Sequence, residues 1–222
     1  MKLLRKFILP FAVLLSCFSH AQQPKTILGM TIGFEGMVPQ ITEQDSVNVY
    51  AGAPGFSGLT GSFRLGAHTR LNVGMIAAHR ALYFWYNASD WQLDNIQYMD
   101  LDLFYLDMPV SWALNLLEKR AVDVYVSFGA SPCFLTGRRE MSYYSSAWLW
   151  KPTKIYDEKI SPFLLYTTTT FGTRFKTKNY HFGAEVFSRR FMTTMNKDIF
   201  RGGLNAYSFA FGASAGIYYI IR

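Results

Sequence analysis

Six ionisable residues stand where an extended chain would hide them: Glu35, Arg64, Asp107, Asp123, Arg174 and Glu185. Each falls on the side of its segment held otherwise by Gly, Ser, Thr or Ala, opposite a side crowded with aromatic and branched residues. Enclosed charges must be paired or hydrated, because an unpaired buried charge is expensive. They suit a salt-bridge and hydrogen-bond core that fills a lumen; a proton- or ion-conducting path is the alternative. A second constellation could do acyl chemistry: His79, Asp100 and Asp102 share the crowded, outward side of their segments. Nucleophilic hydrolysis also needs a serine within reach of the histidine. Ala77, Ala78 and Ala81 stand around His79 instead, and Ser89 is only a loop candidate.

These residues ride on segments that alternate with period two, the signature of strands. Leu28, Met30, Ile32 and Phe34 oppose Gly29, Thr31, Gly33 and Glu35; Leu59, Phe63 and Leu65 oppose Thr60, Ser62 and Arg64. Leu71, Val73, Met75 and Ala77 oppose Asn72 and Gly74, with Ile76 blurring the pattern. Phe104 to Leu114 puts Trp112 and its even-numbered neighbours against Tyr105, Asp107, Pro109 and Ser111. Val122 to Phe128 opposes Asp123 to Gly129, and Phe163 to Phe175 opposes Tyr166 to Arg174. Tyr180, Phe182, Ala184 and Val186 oppose His181, Gly183, Glu185 and Arg189. In the closing segment Tyr207, Phe209, Phe211, Ile217, Tyr219 and Ile221 share one side. That makes about eight strands, each near the 9–11 residues of a tilted membrane strand.

Connections alternate short and long. Gly66–Thr69, the LLEKR stretch and the KTKN stretch are short, whereas the stretches from Pro39, Tyr86, Thr136 and Phe191 are long. This is the rhythm of an up-and-down barrel with tight periplasmic turns and larger outer loops. A soluble, lipocalin-like carrier with the oily side inward is the rival. Its exterior would be small and weakly charged, short of the about 25–35% charged residues a soluble surface carries. An eight-stranded lumen would also struggle to hold that many bulky residues.

The chain opens with a basic stretch (Lys2, Arg5, Lys6), an apolar run from Phe7 to Cys17 and a small-x-small site ending at Ala21. This reads as a cleaved secretory signal over 1–21, with the barrel domain over 22–222. A second reading makes Cys17 a lipidated residue. Loss of the three basic residues lowers the net charge from +7 to +4, without the basic stripe of a nucleic-acid binder. Cys133 then stands alone, so no internal disulfide is expected. His68, His79 and His181 are isolated, and no pair has zinc spacing; neither metal nor cofactor is expected. Half the residues are hydrophobic and 17% aromatic, yet no later stretch approaches the ~20 apolar residues of a membrane helix.

The run from Tyr105 to Gly137 carries a resemblance. Leu106-Asp107-Met108-Pro109, a short turn, and Gly129-Ala130-Ser131-Pro132 are similar to the central hairpin of the PorT-like outer-membrane β-barrel family of Bacteroidetes, with Asp107 where Glu is commoner. The resemblance implies an outer-membrane barrel exported by the general secretory route. It also implies a possible place in a type IX-like secretion apparatus, since the namesake takes part in that process.

The fold expected is therefore all-β: an eight-stranded antiparallel up-and-down transmembrane barrel. The function expected is non-enzymatic, structural or interactive, from a monomeric barrel with outer-membrane lipid, lipopolysaccharide or an envelope protein as partner. Arg138, Arg139, Lys151, Lys154, Lys159, Arg190, Lys197 and Arg201 supply phosphate-matching cations, diluted by Glu140, Asp157, Glu158 and Asp198. Trp148, Trp150, Tyr143 and Tyr144 suit a membrane interface or a partner surface. A lipid A-directed acyl hydrolase or transferase is the alternative.

Overall fold

The computed structural model describes residues 26–38, 47–52, 55–86, 96–144, 149–152, 160–193 and 209–221. The expected leader with Ala21 and Cys17 lies outside them, as do Ser89, Trp148 and most of the long connections. The strands are β1 (Thr26–Val38), β2 (Val47–Ala51), β3 (Gly55–Arg64), β4 (Thr69–Tyr86), β5 (Ile96–Asp107) and β6 (Val110–Glu118). They continue with β7 (Val122–Tyr144), β8 (Leu149–Pro152), β9 (Phe163–Lys176), β10 (Tyr180–Phe191) and β11 (Phe209–Ile221).

Antiparallel pairing runs β1–β3–β4, then through β5 and β6 to β7, and on through β9, β10 and β11. The ring closes where β11 pairs with β1 from Thr26↔Ile221 to Val38↔Phe209. Because β5 and β6 form one stave, the ring has eight staves, as the alternation implies. The stave is interrupted at Met108-Pro109, where proline lacks an N–H to give the ladder. Its register survives the break: Ile76 faces Asp107 and Val73 faces Val110.

The alternation is realised in three dimensions with the oily side outward. Met30, Ile32, Phe34, Trp112, Phe128, Phe171, Phe182 and Phe211 are each about half exposed. Tyr180 and Tyr219 meet edge to face at 5.5 Å beside the short-turn end, where an aromatic girdle belongs. A soluble carrier would need the reverse orientation. Phe63 keeps outward parity but is buried, its ring lying over Gly61 beside Leu28.

The small inward residues are sockets for the few large ones. A Cβ on Gly172 would lie 2.5 Å from Tyr125 Cζ, and one on Gly212 2.4 Å from Phe187 Cζ. Tyr218, on the side of the last strand expected to carry only small residues, points inward and is buried over Gly216.

Outside the lipid the strands run further than alternation shows. Thr136 to Tyr144, expected as loop, continues β7, and β2 and β8 lie within stretches also expected as loop. Beyond the bilayer neither side of a strand must be apolar, so the period that marks a membrane strand fades there while pairing persists.

Filling a socket tests this packing. Gly212→Leu should lower stability by about 1–3 kcal/mol, the range for overpacking, whereas Ala215→Leu on the lipid-facing side should be near neutral. Urea unfolding in detergent micelles, followed by the shift in gel migration on heating, measures both.

Candidate functional site

The inward charges form tiers along the barrel axis. The tier nearer the long connections is centred on Arg80, on β4, which is 0% exposed. Its Nε donates to Glu35 Oε1 at 2.9 Å, and its Nη1 and Nη2 donate to the two Asp107 oxygens at 3.3 and 2.7 Å. Tyr166 donates to Asp107 Oδ2 at 2.8 Å, and Arg189 Nη1 donates to Glu35 Oε2. Two guanidinium cations thus meet two carboxylates, and the tier is neutral. Aromatic rings wall it: Arg80 lies 5.0 Å from the Tyr105 centroid, and Arg189 lies 4.4 Å from that of Phe187. Such a cluster holds its charges because every carboxylate oxygen is matched by donors.

The middle tier joins Arg174 and Glu185 through Tyr125. Arg174 stacks 4.4 Å from the Tyr125 centroid, and the Tyr125 hydroxyl donates to Glu185, which also accepts from Ser214 Oγ at 3.1 Å. Between these tiers lies a cavity of about 100 Å³ of mixed lining, with Thr60, Asn72, Ser127 and Thr170 among apolar residues such as Phe56, Ile76 and Phe187, room for a few waters. The Arg80 tier fills the lumen at its level among the described residues: Arg80, Glu35 and Asp107 are all at or below 1% exposure.

The remaining two expected lumen charges sit elsewhere. Asp123 is buried near the short-turn end and pairs with Lys176 at 2.5 Å. Arg64 belongs to the rim: it donates to the carbonyls of Gly66 and Ala67 at 3.0 and 2.6 Å and meets Glu118 at 3.3 Å. A single network of all six is therefore not formed, because residues at opposite ends of a strand share parity without sharing a level. Arg80 and Arg189, which hold the upper tier together, were absent from the expected set. Counting parity past Ala78 puts Arg80 inward, and Arg189 already stood on the inward list of its strand.

The motif residues converge as well. Gly129 faces Ser111 and Ala130 faces Val110 across β6 and β7. A Cβ on Gly129 would lie 2.3 Å from the Val110 carbonyl oxygen, so only glycine lets β7 approach β6 this closely just past Pro109. Met108 N–H donates to the Pro132 carbonyl at 2.9 Å and Gly74 N–H to that of Pro109 at 2.9 Å. The motif bends one stave while delivering Asp107 to Arg80; Leu106 faces the other way.

A ring with no open edge satisfies its backbone internally, and an apolar exterior suits hydrocarbon. Strands of this length closed in this way span membranes as outer-membrane barrels do. The chain folds as a transmembrane β-barrel. No family model matches it, and no curated protein matches it. Among solved structures, Ail, the attachment invasion locus protein of Yersinia pestis in complex with the heparin analogue sucrose octasulfate, is similar at 10% identity. That alignment covers 90% of this chain and 100% of Ail with a TM-score of 0.47. Neisserial surface protein A is similar at 10% identity over 88% of this chain and 97% of its own, with a TM-score of 0.48. The N-terminal barrel domain of Pseudomonas aeruginosa OprF is similar at 9% identity over 90% and 100%, with a TM-score of 0.39.

On the outer wall, the expected His–Asp pairing forms. His79 Nε2 lies 2.8 Å from Asp102 Oδ1, and the imidazole stacks on Phe104 at 4.9 Å. Ser57, which sequence reasoning passed over, lies on the neighbouring strand opposite Ala77 and lines the same shallow depression. Its hydroxyl makes no hydrogen bond to His79 among the described residues. Of the expected loop cations, Arg138, Arg139 and Arg190 are exposed; Lys154, Lys159, Lys197 and Arg201 lie outside the described residues.

Removing the hub of the upper tier should be severe. Arg80→Met leaves Glu35 with Arg189 alone and Asp107 with only the Tyr166 hydroxyl, one carboxylate in excess, and should cost about 3–5 kcal/mol. Adding Asp107→Asn, which restores neutrality with Arg189 facing Glu35, should recover part of the loss in the same urea titration.

Proposed function

We propose that this protein is a non-enzymatic interaction component of the outer membrane, in which the barrel anchors a sheet that projects from the cell surface. The observation that carries this reading is the reach of the strands on the long-connection side. At ~3.4 Å per residue β7 is roughly 75 Å long, which at a tilt of ~40° rises far more than the ~25 Å apolar band. Its outer part pairs with β5 and β8, while β4 continues to pair with β5 and β2, giving the order β2–β4–β5–β7–β8. The plugged lumen supports the same view, since a closed barrel offers no path for solutes. Arg138 and Arg139 lie exposed on the projecting part and suit phosphate groups of lipopolysaccharide. Asp102, opposite Arg139 across the strands, tempers them.

Membership of the PorT-like family, and through it a place in a type IX-like secretion apparatus, rests on the Leu106–Pro109 and Gly129–Pro132 motif. The packing of its two halves supports it. Residue-specific crosslinking in intact cells from Arg138 and Arg139 positions tests the interaction reading. Recovery of a discrete envelope protein or of lipopolysaccharide is the expected result; bare monomer from every position would defeat it.

The His79–Asp102 pair favours one second reading, a lipid A-directed acyl hydrolase with Ser57 as nucleophile. Purified protein should leave labelled lipid A unchanged. Turnover that disappears in both His79→Ala and Ser57→Ala would establish the enzyme instead.

A further inference from the structure

At the end with the short turns, the lumen opens into a cavity of about 270 Å³ on the periplasmic side. Arg64, Arg70, Arg120, Lys176 and Lys178 line it against only two acids, Glu118 and Asp123. The acids are already engaged: Glu118 lies 3.3 Å from Arg64 and 3.9 Å from Lys176, and Asp123 lies 2.5 Å from Lys176. Arg70 is left over. It is 5% exposed, and its Nε is buried without a hydrogen-bond partner. His181, 7% exposed on the same wall, has a buried Nδ1 without a partner.

The strand register sharpens the problem. Arg64 and Arg70 are direct cross-strand partners on the inward side, and like charges in that relation repel. Arg174, also buried, adds a third guanidinium just above, with its Nε unpartnered. A cationic concavity with orphaned polar groups is complementary to an oxyanion. Guanidinium forks match phosphate oxygens in geometry as well as sign. Ile27 and Ile220 close part of the wall with apolar surface, which strengthens the field inside.

We propose that this vestibule is a binding site for a phosphate group entering from the periplasm, held by Arg70 with His181 and supported by Arg64 and Arg120. The phosphate is either a free periplasmic phosphate or the headgroup of a phospholipid in the inner leaflet. Both offer unesterified phosphate oxygens to the same donors, and only the second brings acyl chains that must remain outside the rim. The site lies at the opposite end of the barrel from the projecting sheet and does not depend on what that sheet binds.

The test uses the full chain purified from outer membranes. One arm titrates inorganic phosphate against protein in neutral detergent, at constant ionic strength set with chloride, and follows the urea midpoint and phosphorus NMR line width. The other adds phosphatidylglycerol, or diacylglycerol as the phosphate-free control, to the same detergent micelles. Saturable stabilisation by inorganic phosphate identifies the free ligand; a response confined to phosphatidylglycerol identifies the headgroup. In the responding arm Arg70→Gln should weaken binding at least about tenfold, as expected for lost hydrogen bonds to a charged group. Arg120→Ala, on an exposed turn where folding is not at stake, should weaken it several-fold. No saturable response in either arm overturns the proposal. So does an equal response to chloride alone, or unchanged affinity in Arg120→Ala together with a folded Arg70→Gln.

Discussion

Hydrocarbon offers no hydrogen bonds, so every backbone N–H and C=O that meets it must find a partner within the chain. The pairing of β1 with β11 along the whole of β1 meets that demand. Without it, two strands of high apolar content would present open edges to lipid. Closure then fixes everything else. Once the ring is shut, side chains have only two destinations, and the parity of each strand decides between acyl chains and a narrow interior.

That narrow interior explains why the inward residues are small and few of them are charged. Eight staves leave only enough space for side chains to fill. Glycines at the level of Tyr125, Phe187 and Tyr218 are spaces left for those rings. Tyr125 and Phe187 in turn wall in Arg174 and Arg189, and Tyr105 walls in Arg80; the carboxylate and hydroxyl partners of these cations sit on other staves. The upper tier therefore ties β1, β4, β5, β9 and β10 together across the lumen, a job that hydrogen bonding between neighbouring strands cannot do. It also makes the barrel a plug, which directs attention to its two ends.

The two ends differ in kind. On the outer side the strands simply continue, trading a lipid-facing surface for a water-facing one without losing their pairing. On the periplasmic side they stop at tight turns, and the lumen widens into a basic recess.

Much of this was legible from the residues alone. Alternation gave the strand number and the inward parity of Glu35, Asp107, Asp123, Arg174 and Glu185, and it anticipated the approach of His79 to Asp102. It did so because a period of two is a local property, readable wherever one side must be apolar. The extension of β7 past Thr136 and the strands β2 and β8 were not legible, because above the bilayer that requirement lapses. Nor could the sequence say which inward charges share a level. That is settled by the stagger between strands, which brings Arg80 beside Asp107 and Glu35 yet leaves Arg64 at the rim beside Glu118. The residues by themselves determined which side of each strand meets lipid; only ring closure and register decided which charge meets which. Hydrophobic pattern acts residue by residue, whereas charge pairing in a lumen depends on distances between strands far apart in the chain.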